Sequence, residues 1–595
     1  MKQTVMPHNR LSATILVGWA FPVLGLLAVL ACMLLPVQEG VGRADVALLV
    51  GSAVLVLPGL LAWRASGRPF TFTATDAVLS LWATYVLLRA WFTPDVPCFP
   101  SVARALGLLA AYASLRLLMR SPRQSLCLAQ HAIMAYACLE CLLCLYQLCT
   151  GTSRHAAYPI SGTFLGPASC SAVFLMGVCV ALPCLRHAWQ SPDRGFRAAM
   201  LLPLATLLLC CLLLPVGWSR AVVVSGLCCL FVFLWPRVSQ GKRWLQVGCL
   251  LLVAVVLYVC KRGSADGRVL FWLVSLASVG QHPVWGSGVN TFAHAYSQSM
   301  SALHAQLPDA LVCHASPVDM ALSDVARVVV EQGSIGLILA LLSALLVWRA
   351  LRRQSPSLAL MLAGLLFLSC LSYPFQLLPF QLQFVLLAAC SAAPSDMQVP
   401  GAPQENGNPI APARPCGSLW APLAVAALAV ALPALLLPRV HRYARAQQGS
   451  VLVVGRNDVR LIDTYEQLLP YMRHDARFMF RYGQLLALVG RYNESNHVLW
   501  EGSLVSTDGM FHVLRGHNYL CLHAPGLALK AYRQAHAQCP ARQYPLYCLM
   551  RAYRRLGHRN RAAQVARTLL HMPSGPDSPL DRQIRQEAMN CASEQ

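Results

Sequence analysis

Residues 328–348 read VVVEQGSIGLILALLSALLVW, with Arg327 before them and Arg349 after. Glu331 is the single charge inside. A helix of about 20 mostly apolar residues crosses the hydrocarbon core of a bilayer, so this stretch predicts a membrane span. Eleven further runs of the same kind lie around it, at 13–36, 45–63, 76–93, 102–119, 125–149, 167–185, 199–216, 221–236, 244–260, 357–373 and 376–393, and another follows at 418–437. The expected fold is all-α: a polytopic membrane protein of about twelve core transmembrane helices plus one more. Lys2 and Arg10 precede the first run, which has no small-residue cleavage site, so it reads as a retained span rather than a signal peptide.

Composition agrees. Of 595 residues, 56% are hydrophobic and 12% charged, against about 25% charged in soluble domains. That excludes an ordinary soluble enzyme and a disordered chain. The net charge, 47 − 24 = +23, raises the question of nucleic acid, but in the apolar part of the chain the basic residues fall in short clusters between spans: Arg64/Arg68, Arg116/Arg120/Arg123, Arg186/Arg194/Arg197, Arg237/Lys242/Arg243 and Arg349/Arg352/Arg353. Such clusters mark a cytoplasmic face, and no nucleic-acid partner is expected.

With the N-terminus inside, all five clusters fall on the cytoplasmic side, and the long connection 261–327 falls outside. The expected organisation is a membrane domain over 1–393, a Pro/Gly/Asn-rich cytoplasmic linker over 394–417, the extra helix at 418–437 and an external domain over 438–595. Most of the 24 cysteines lie in apolar runs and read as small hydrophobes. Cys138, Cys141 and Cys144 spread over about 120° of one helix with no histidines at zinc spacing, so no metal is expected.

The tail repeats. Starts at Ala476, Gly509 and Gln543 align small and large positions with a period near 34. The second copy is clearest, with Gly516, Tyr519, Ala528, Tyr532, Ala535 and Pro540. The first has Gly483, Leu486, Ser495 and Leu499, and the third Tyr553 and Ala562. The pattern resembles the tetratricopeptide repeat, a helical hairpin that holds peptides or partner proteins. A helical bundle without a groove is the other reading.

Charges near a membrane are costly unless they act or snorkel. Those expected on the outer side are Arg154 and His155, Arg220 at the start of the eighth span, Arg268, Arg327 and Glu331. Guanidinium grips phosphate oxygens through paired hydrogen bonds and keeps its charge. Around these residues run short motifs: Ser161-Gly162-Thr163-Phe164; Ser219-Arg220; Gly267-Arg268 with Trp272; His282-Pro283-Val284-Trp285-Gly286-Ser287-Gly288 with Phe292 and Tyr296; and Glu331-Gln332-Gly333-Ser334-Ile335-Gly336. In order and in sidedness they resemble the O-antigen ligase and O-antigen polymerase family of bacterial inner membranes, over roughly residues 70–393.

The resemblance implies a metal-independent glycosyltransferase without cofactor. It would move a glycan from undecaprenyl diphosphate to a hydroxyl of lipid A-core, of another glycan or of a protein, on the periplasmic side of the bacterial inner membrane. It implies Arg220 and Arg268 on the diphosphate, Glu331 holding an arginine or shaping the acceptor side, and Arg327, Arg154, Trp272, Gly286, Gly288 and Tyr296 around the substrates. The family often carries His-Asn a little over two turns before the Glu. Here Ala321-Leu322-Ser323-Asp324 stands there, which makes Asp324 the candidate base, with His314 further off in the same loop. The repeats would recruit an acceptor protein or assembly partner, or dock on the loop. Phe292 and Tyr296, four apart, also suit packing of a loop helix, and His282 suits a turn. His131 and Glu140 share a span but point to opposite faces. No Walker loop, dinucleotide fingerprint or HExxH is present. Two other classes stay open: a transporter or flippase of lipid-linked glycans, which calls for deep charges and an inverted repeat, and a membrane scaffold with a decayed transferase site that works through its repeats.

Overall fold

The computed structural model describes residues 8–393 and 419–593, apart from 38–39, 41, 67–68, 94–95, 120, 191–195, 218, 457 and 573–577, with only scattered positions between 236 and 261 and side chains described from Ala20. The expected linker 394–417, most of the expected span 244–260 and Trp218 lie outside the described residues.

The described residues form helices and no strand. In chain order they are α1 His8–Leu34, α2 Arg43–Val54, α3 Val56–Ser66, α4 Ala74–Trp91, α5 Phe99–Leu118, α6 Pro122–Thr150, α7 Pro167–Gln190, α8 Phe196–Gly217, α9 Arg220–Leu234, α10 Arg262–Gln281, α11 Phe292–Leu303, α12 Asp324–Gln354, α13 Pro356–Leu371, α14 Leu378–Ser391, α15 Trp420–Val454, α16 Ile462–Met472, α17 Ala476–Leu488, α18 Tyr492–Ser503, α19 Met510–Cys521, α20 Pro525–Gln538, α21 Gln543–Arg555, α22 Arg559–His571 and α23 Pro579–Ser593. Among the described residues, 7 helices are long and apolar enough to cross a membrane by length and composition. Shorter apolar helices cover Ala20–Leu34, Arg220–Leu234, Pro356–Leu371 and Leu378–Ser391. The expected span at 76–93 is helical but stands outside both sets, with Asp76 at its start and Arg89 near its end.

The chain forms two compact units. The first comprises Met1–Tyr85, Val102–Ala254 and Ile338–His441. Its core gathers on α6 and α7, against which α8, α13 and α14 pack. Charge enters this core as pairs. Arg116, 1% exposed, donates to Asp76 at 3.0 Å, and Tyr112 Oη donates to the same carboxylate at 2.6 Å. Arg104 bonds Asp45 at 2.7 Å. Arg116, counted above among the loop charges of a cytoplasmic cluster, is thus a buried partner of α4. The three cysteines of α6 meet different neighbours: Cys138 meets Thr206, Cys141 meets Cys210 and Cys144 meets Cys170.

The second unit comprises Val86–Ser101, Val255–Leu337 and Arg442–Gln595. Three helical hairpins, α17–α18, α19–α20 and α21–α22, start at or within a residue of the repeat starts read from sequence. Gly483 lets Leu499 approach, since an added Cβ would stand 2.6 Å from Leu499 Cδ2, and Gly516 does the same for Tyr532 at 2.4 Å. Ser495, Ala528 and Ala562 occupy one register and are fully buried. The third hairpin carries Met550 and Ala566 where the others carry glycine and Leu499 or Tyr532, so bulk has moved from the second helix to the first.

The connection 262–323 packs onto these hairpins. Helix α11 lies on α20. Asp319 Oδ1 accepts from Thr507 N at 2.7 Å, Ser506 Oγ at 2.9 Å and Thr507 Oγ1 at 3.1 Å, and Val318 N donates to Thr507 Oγ1 at 2.6 Å. Histidines line the same contact. His536 faces His304, with ring centroids 6.1 Å apart, and His512 is buried near His294 and Arg515. Burial, reinforced by the neighbouring cations, pushes His512 down to about 3, and burial beside His304 pushes His536 down to about 4. The folded state therefore holds both rings neutral. A depressed histidine contributes its full stability above the ordinary value near 6.5 and loses it as pH falls below that. Between pH 7 and 5 the second unit should lose about 2 kcal/mol for each of the two rings. Thermal unfolding of the detergent-purified protein should show the drop, and His536→Gln should flatten it.

Candidate functional site

The two Gly-containing motifs that the sequence places more than forty residues apart meet in the second unit. Helix α12 is broken at Gly333, whose φ of 66° and ψ of −162° are not helical. In an unbroken helix the carbonyls of Val330 and Glu331 would accept from the amides of Ser334 and Ile335. Here the loop 282–288 takes both sides of that exchange. Ser287 N donates to Val330 O at 2.8 Å and Gly288 N to Glu331 O at 2.9 Å. Ser334 N donates to Pro283 O at 2.9 Å and Ile335 N to Val284 O at 3.4 Å. All four of these backbone groups are satisfied by the loop.

Two glycines make the approach possible. A Cβ on Gly333 would stand 2.3 Å from Val284 O, and one on Gly286 would stand 2.4 Å from Glu331 C; both residues have positive φ. The obstructing atoms are backbone, so nothing can swing aside. The stretch 86–101 fastens the loop from its other side. Arg89 Nη2 donates to Gly286 O at 2.8 Å, and Asn290, itself at φ 65°, donates from Nδ2 to Pro97 O at 3.0 Å.

Charged side chains stand on the first half of α12. Asp324, Arg327 and Glu331 follow at i, i+3 and i+7, which puts them on one face. Arg327 Nε lies 3.2 Å from Glu331 Oε2, and the Glu331 side chain is 4% exposed. Asp324 is buried in the first turn. Arg268 is half-buried in α10. The chain at His314 closes over the same helix, its ring lying 3.0 Å from where a Cβ on Gly263 would be. Below them, Leu270, Phe271, Phe292 and Tyr296 build an apolar core, with the Phe271 and Tyr296 rings stacked at 5.9 Å and Trp272 packed against it. Burial pushes the Tyr296 hydroxyl above its ordinary value.

Each expected site residue thus has a place. Arg268, Trp272, Gly286, Gly288, Tyr296, Asp324, Arg327 and Glu331 share the second unit. Gly286 and Gly288 form the loop itself; Tyr296, for which the i, i+4 spacing with Phe292 also suits packing of a loop helix, lies in the apolar core, and Trp272 packs against that core. Arg220 and Arg154 belong to the first unit. Arg220 is half-buried and opens α9. Arg154 is a loop fastener, donating from Nη1 to Thr163 O at 2.7 Å. The turn it closes, Ser161–Phe164, hangs on α6: Glu140 accepts from Thr163 N and Oγ1, and Gln147 accepts from the amides of Ser161 and Gly162. Glu140, Cys144 and Cys170 bring donor atoms within 4.8 Å of one another, but the carboxylate is already engaged by the turn. Sequence reading passed over Arg89, although a lone arginine in an apolar run was the available signal.

Compared with known proteins, the chain matches no family model, and no curated protein matches it.

Gly333→Ala should cost about 2–4 kcal/mol, combining a forced positive φ with a backbone clash. Arg89→Ala should cost about 1–3 kcal/mol, the loss of one charge-assisted hydrogen bond. Hydrogen exchange reads both: the amides of Ser287, Gly288 and Ser334 should lose protection together, while α17–α22 keep theirs.

Proposed function

We propose that this protein is a glycan transferase of the O-antigen ligase and polymerase type, acting from the outer face of a bacterial inner membrane. The observation that carries the reading is the backbone union of loop 282–288 with the break at Gly333, which gathers Arg89, Arg327 and Glu331 around two of the motifs on which the resemblance rests. Gly286, Gly288 and Gly333, which the family pattern singles out, all have positive φ and leave no room for a Cβ. Sidedness has its own support. The stretches 86–101, 255–337 and 442–595 make one compact unit, which supports reading all three on the same side of a bilayer.

In this reading Arg268 holds the diphosphate of an undecaprenyl-linked donor and stabilises the charge that grows on it. The acceptor hydroxyl oxygen bonds to the anomeric carbon as the bond to the diphosphate breaks. The hydroxyl proton passes to the Asp324 carboxylate, and undecaprenyl diphosphate leaves. Glu331 fixes Arg327 beside the acceptor. No metal or nucleotide takes part, because the donor is already activated. Lipid A-core, a growing glycan and a protein are the acceptor classes.

The test is a deletion strain complemented with wild type or Arg268→Ala. Losing one arginine aimed at developing charge should lower transfer by about 10²–10³-fold, with lipid-linked donor accumulating outside. The glycan species that disappears identifies the acceptor: a whole ladder for ligation, chain length for polymerisation, glycoproteins for protein transfer. Full restoration by Arg268→Ala overturns the reading in favour of a scaffold. Donor trapped on the cytoplasmic side overturns it in favour of a flippase.

A further inference from the structure

We propose that Cys144 of α6 and Cys170 of α7 are joined by a disulfide that forms while the protein assembles in its membrane. Both residues are fully buried, and their sulfurs stand 3.1 Å apart. That is closer than side chains in ordinary contact come. The neighbouring thiol pair, Cys141 with Cys210 of α8, keeps 3.7 Å. Among the described residues Cys144 and Cys170 have each other as hydrogen-bonding partners. In the reduced pair one S–H donates and the other is left without an acceptor; a disulfide removes both protons. The pair sits at the mouth of a hairpin, with Cys144 in the last two turns of α6 and Cys170 in the first turn of α7. The turn Ser161–Phe164 lies directly on it. A Cβ added at Gly162, whose φ is 60°, would stand 2.9 Å from Cys170 Sγ and 3.5 Å from Cys144 Sγ.

Glu140 beside the two thiols invites a metal instead. The spacing speaks against it. Two sulfurs on a tetrahedral zinc, each at about 2.3 Å, stand about 3.8 Å apart, and these already lie inside that separation. Both Glu140 oxygens also accept from Thr163. A disulfide, at about 2.05 Å, draws the sulfurs closer and asks nothing of the carboxylate. Its formation releases two protons and two electrons. The electrons pass to a protein dithiol oxidant, in its disulfide form, outside the membrane. The thiolate of one cysteine attacks that disulfide, which gives a mixed disulfide and one free thiol on the oxidant. The thiolate of the other cysteine attacks the mixed disulfide, which gives the Cys144–Cys170 bond and frees the oxidant's second thiol. Both sulfurs are inaccessible once α7 packs on α6, so the exchange precedes that packing and the finished bond is shielded from reductant. The bond then adds a covalent tie beneath the turn that Glu140 and Gln147 hold by hydrogen bonds. The inference needs the 151–166 connection to face an oxidising compartment, the side expected from the basic clusters. It does not need the transferase reading.

The test uses the full-length protein expressed in a bacterial inner membrane. Thiols are trapped by acid and then by N-ethylmaleimide in denaturant, and tryptic peptides are read by mass spectrometry with and without reductant. Peptides 124–154 and 155–186, which carry Cys144 and Cys170, should travel as one species that separates on reduction. Fragment spectra of the wild type should place the link between those two cysteines, an assignment that stands even where a variant fails to fold. Cys144→Ala and Cys170→Ala should each abolish the linked species, and Cys141→Ala should retain it. Maleimide on both Cys144 and Cys170 overturns the proposal, as does a link to any other cysteine. Free thiols together with stoichiometric zinc that is lost on denaturation overturn it in favour of a metal site. Sidedness is read separately, through a membrane-impermeant maleimide on Ala156→Cys, a position exposed in the same connection. Free thiols with Ala156→Cys labelled from outside overturn the disulfide alone. Free thiols with labelling only after permeabilisation overturn the disulfide and the outward placement of the connection together.

Discussion

The second unit turns on four backbone hydrogen bonds at Gly333. A helix entering a membrane has no water to satisfy a broken rung, so a break is tolerated only where other protein supplies the missing partners. Loop 282–288 supplies them, donor for donor and acceptor for acceptor. That exchange ties the end of α10 to the mouth of α12, and it leaves Asp324, Arg327 and Glu331 on the half-helix just before the break. Because the contacts are between backbones, their geometry tolerates little change, which is the condition a site needs if its charged groups are to stand in one place.

The helical hairpins support this arrangement from behind. Asp319 reaches into the turn between the first two hairpins and accepts three hydrogen bonds there, and α11 packs on α20 beside His536, whose ring burial keeps uncharged. A repeat array attached only through its chain termini would be free to move independently. Here one edge is consumed by the connection 262–323.

Charge inside the first unit is spent on structure. Asp76 answers both Arg116 and Tyr112, and Glu140 with Gln147 holds the Ser161–Phe164 turn. Buried ionic groups survive in such places when each is paired and hydrogen-bonded. It follows that a charge in an apolar run is no pointer to chemistry until its partner is known. Arg116 and Arg154, which look alike on paper, are a helix clamp and a loop fastener.

The all-helical class, the hairpin starts at Ala476, Gly509 and Gln543 and the small positions Gly483 and Gly516 were legible from sequence alone, because apolar run length and a 34-residue period are local properties of the chain. The third hairpin was faint for a physical reason: it fills the same space with Met550 and Ala566, conserving volume while inverting the pattern that a reader follows. Which glycines matter was also legible as a pattern, but not why. Only the tertiary structure joined Gly286 to Gly333 and enlisted Arg89 and Asp319. Those are contacts between residues far apart in the chain, settled by which backbone groups still needed partners once the helices had formed, and no local reading of residue types contains that accounting.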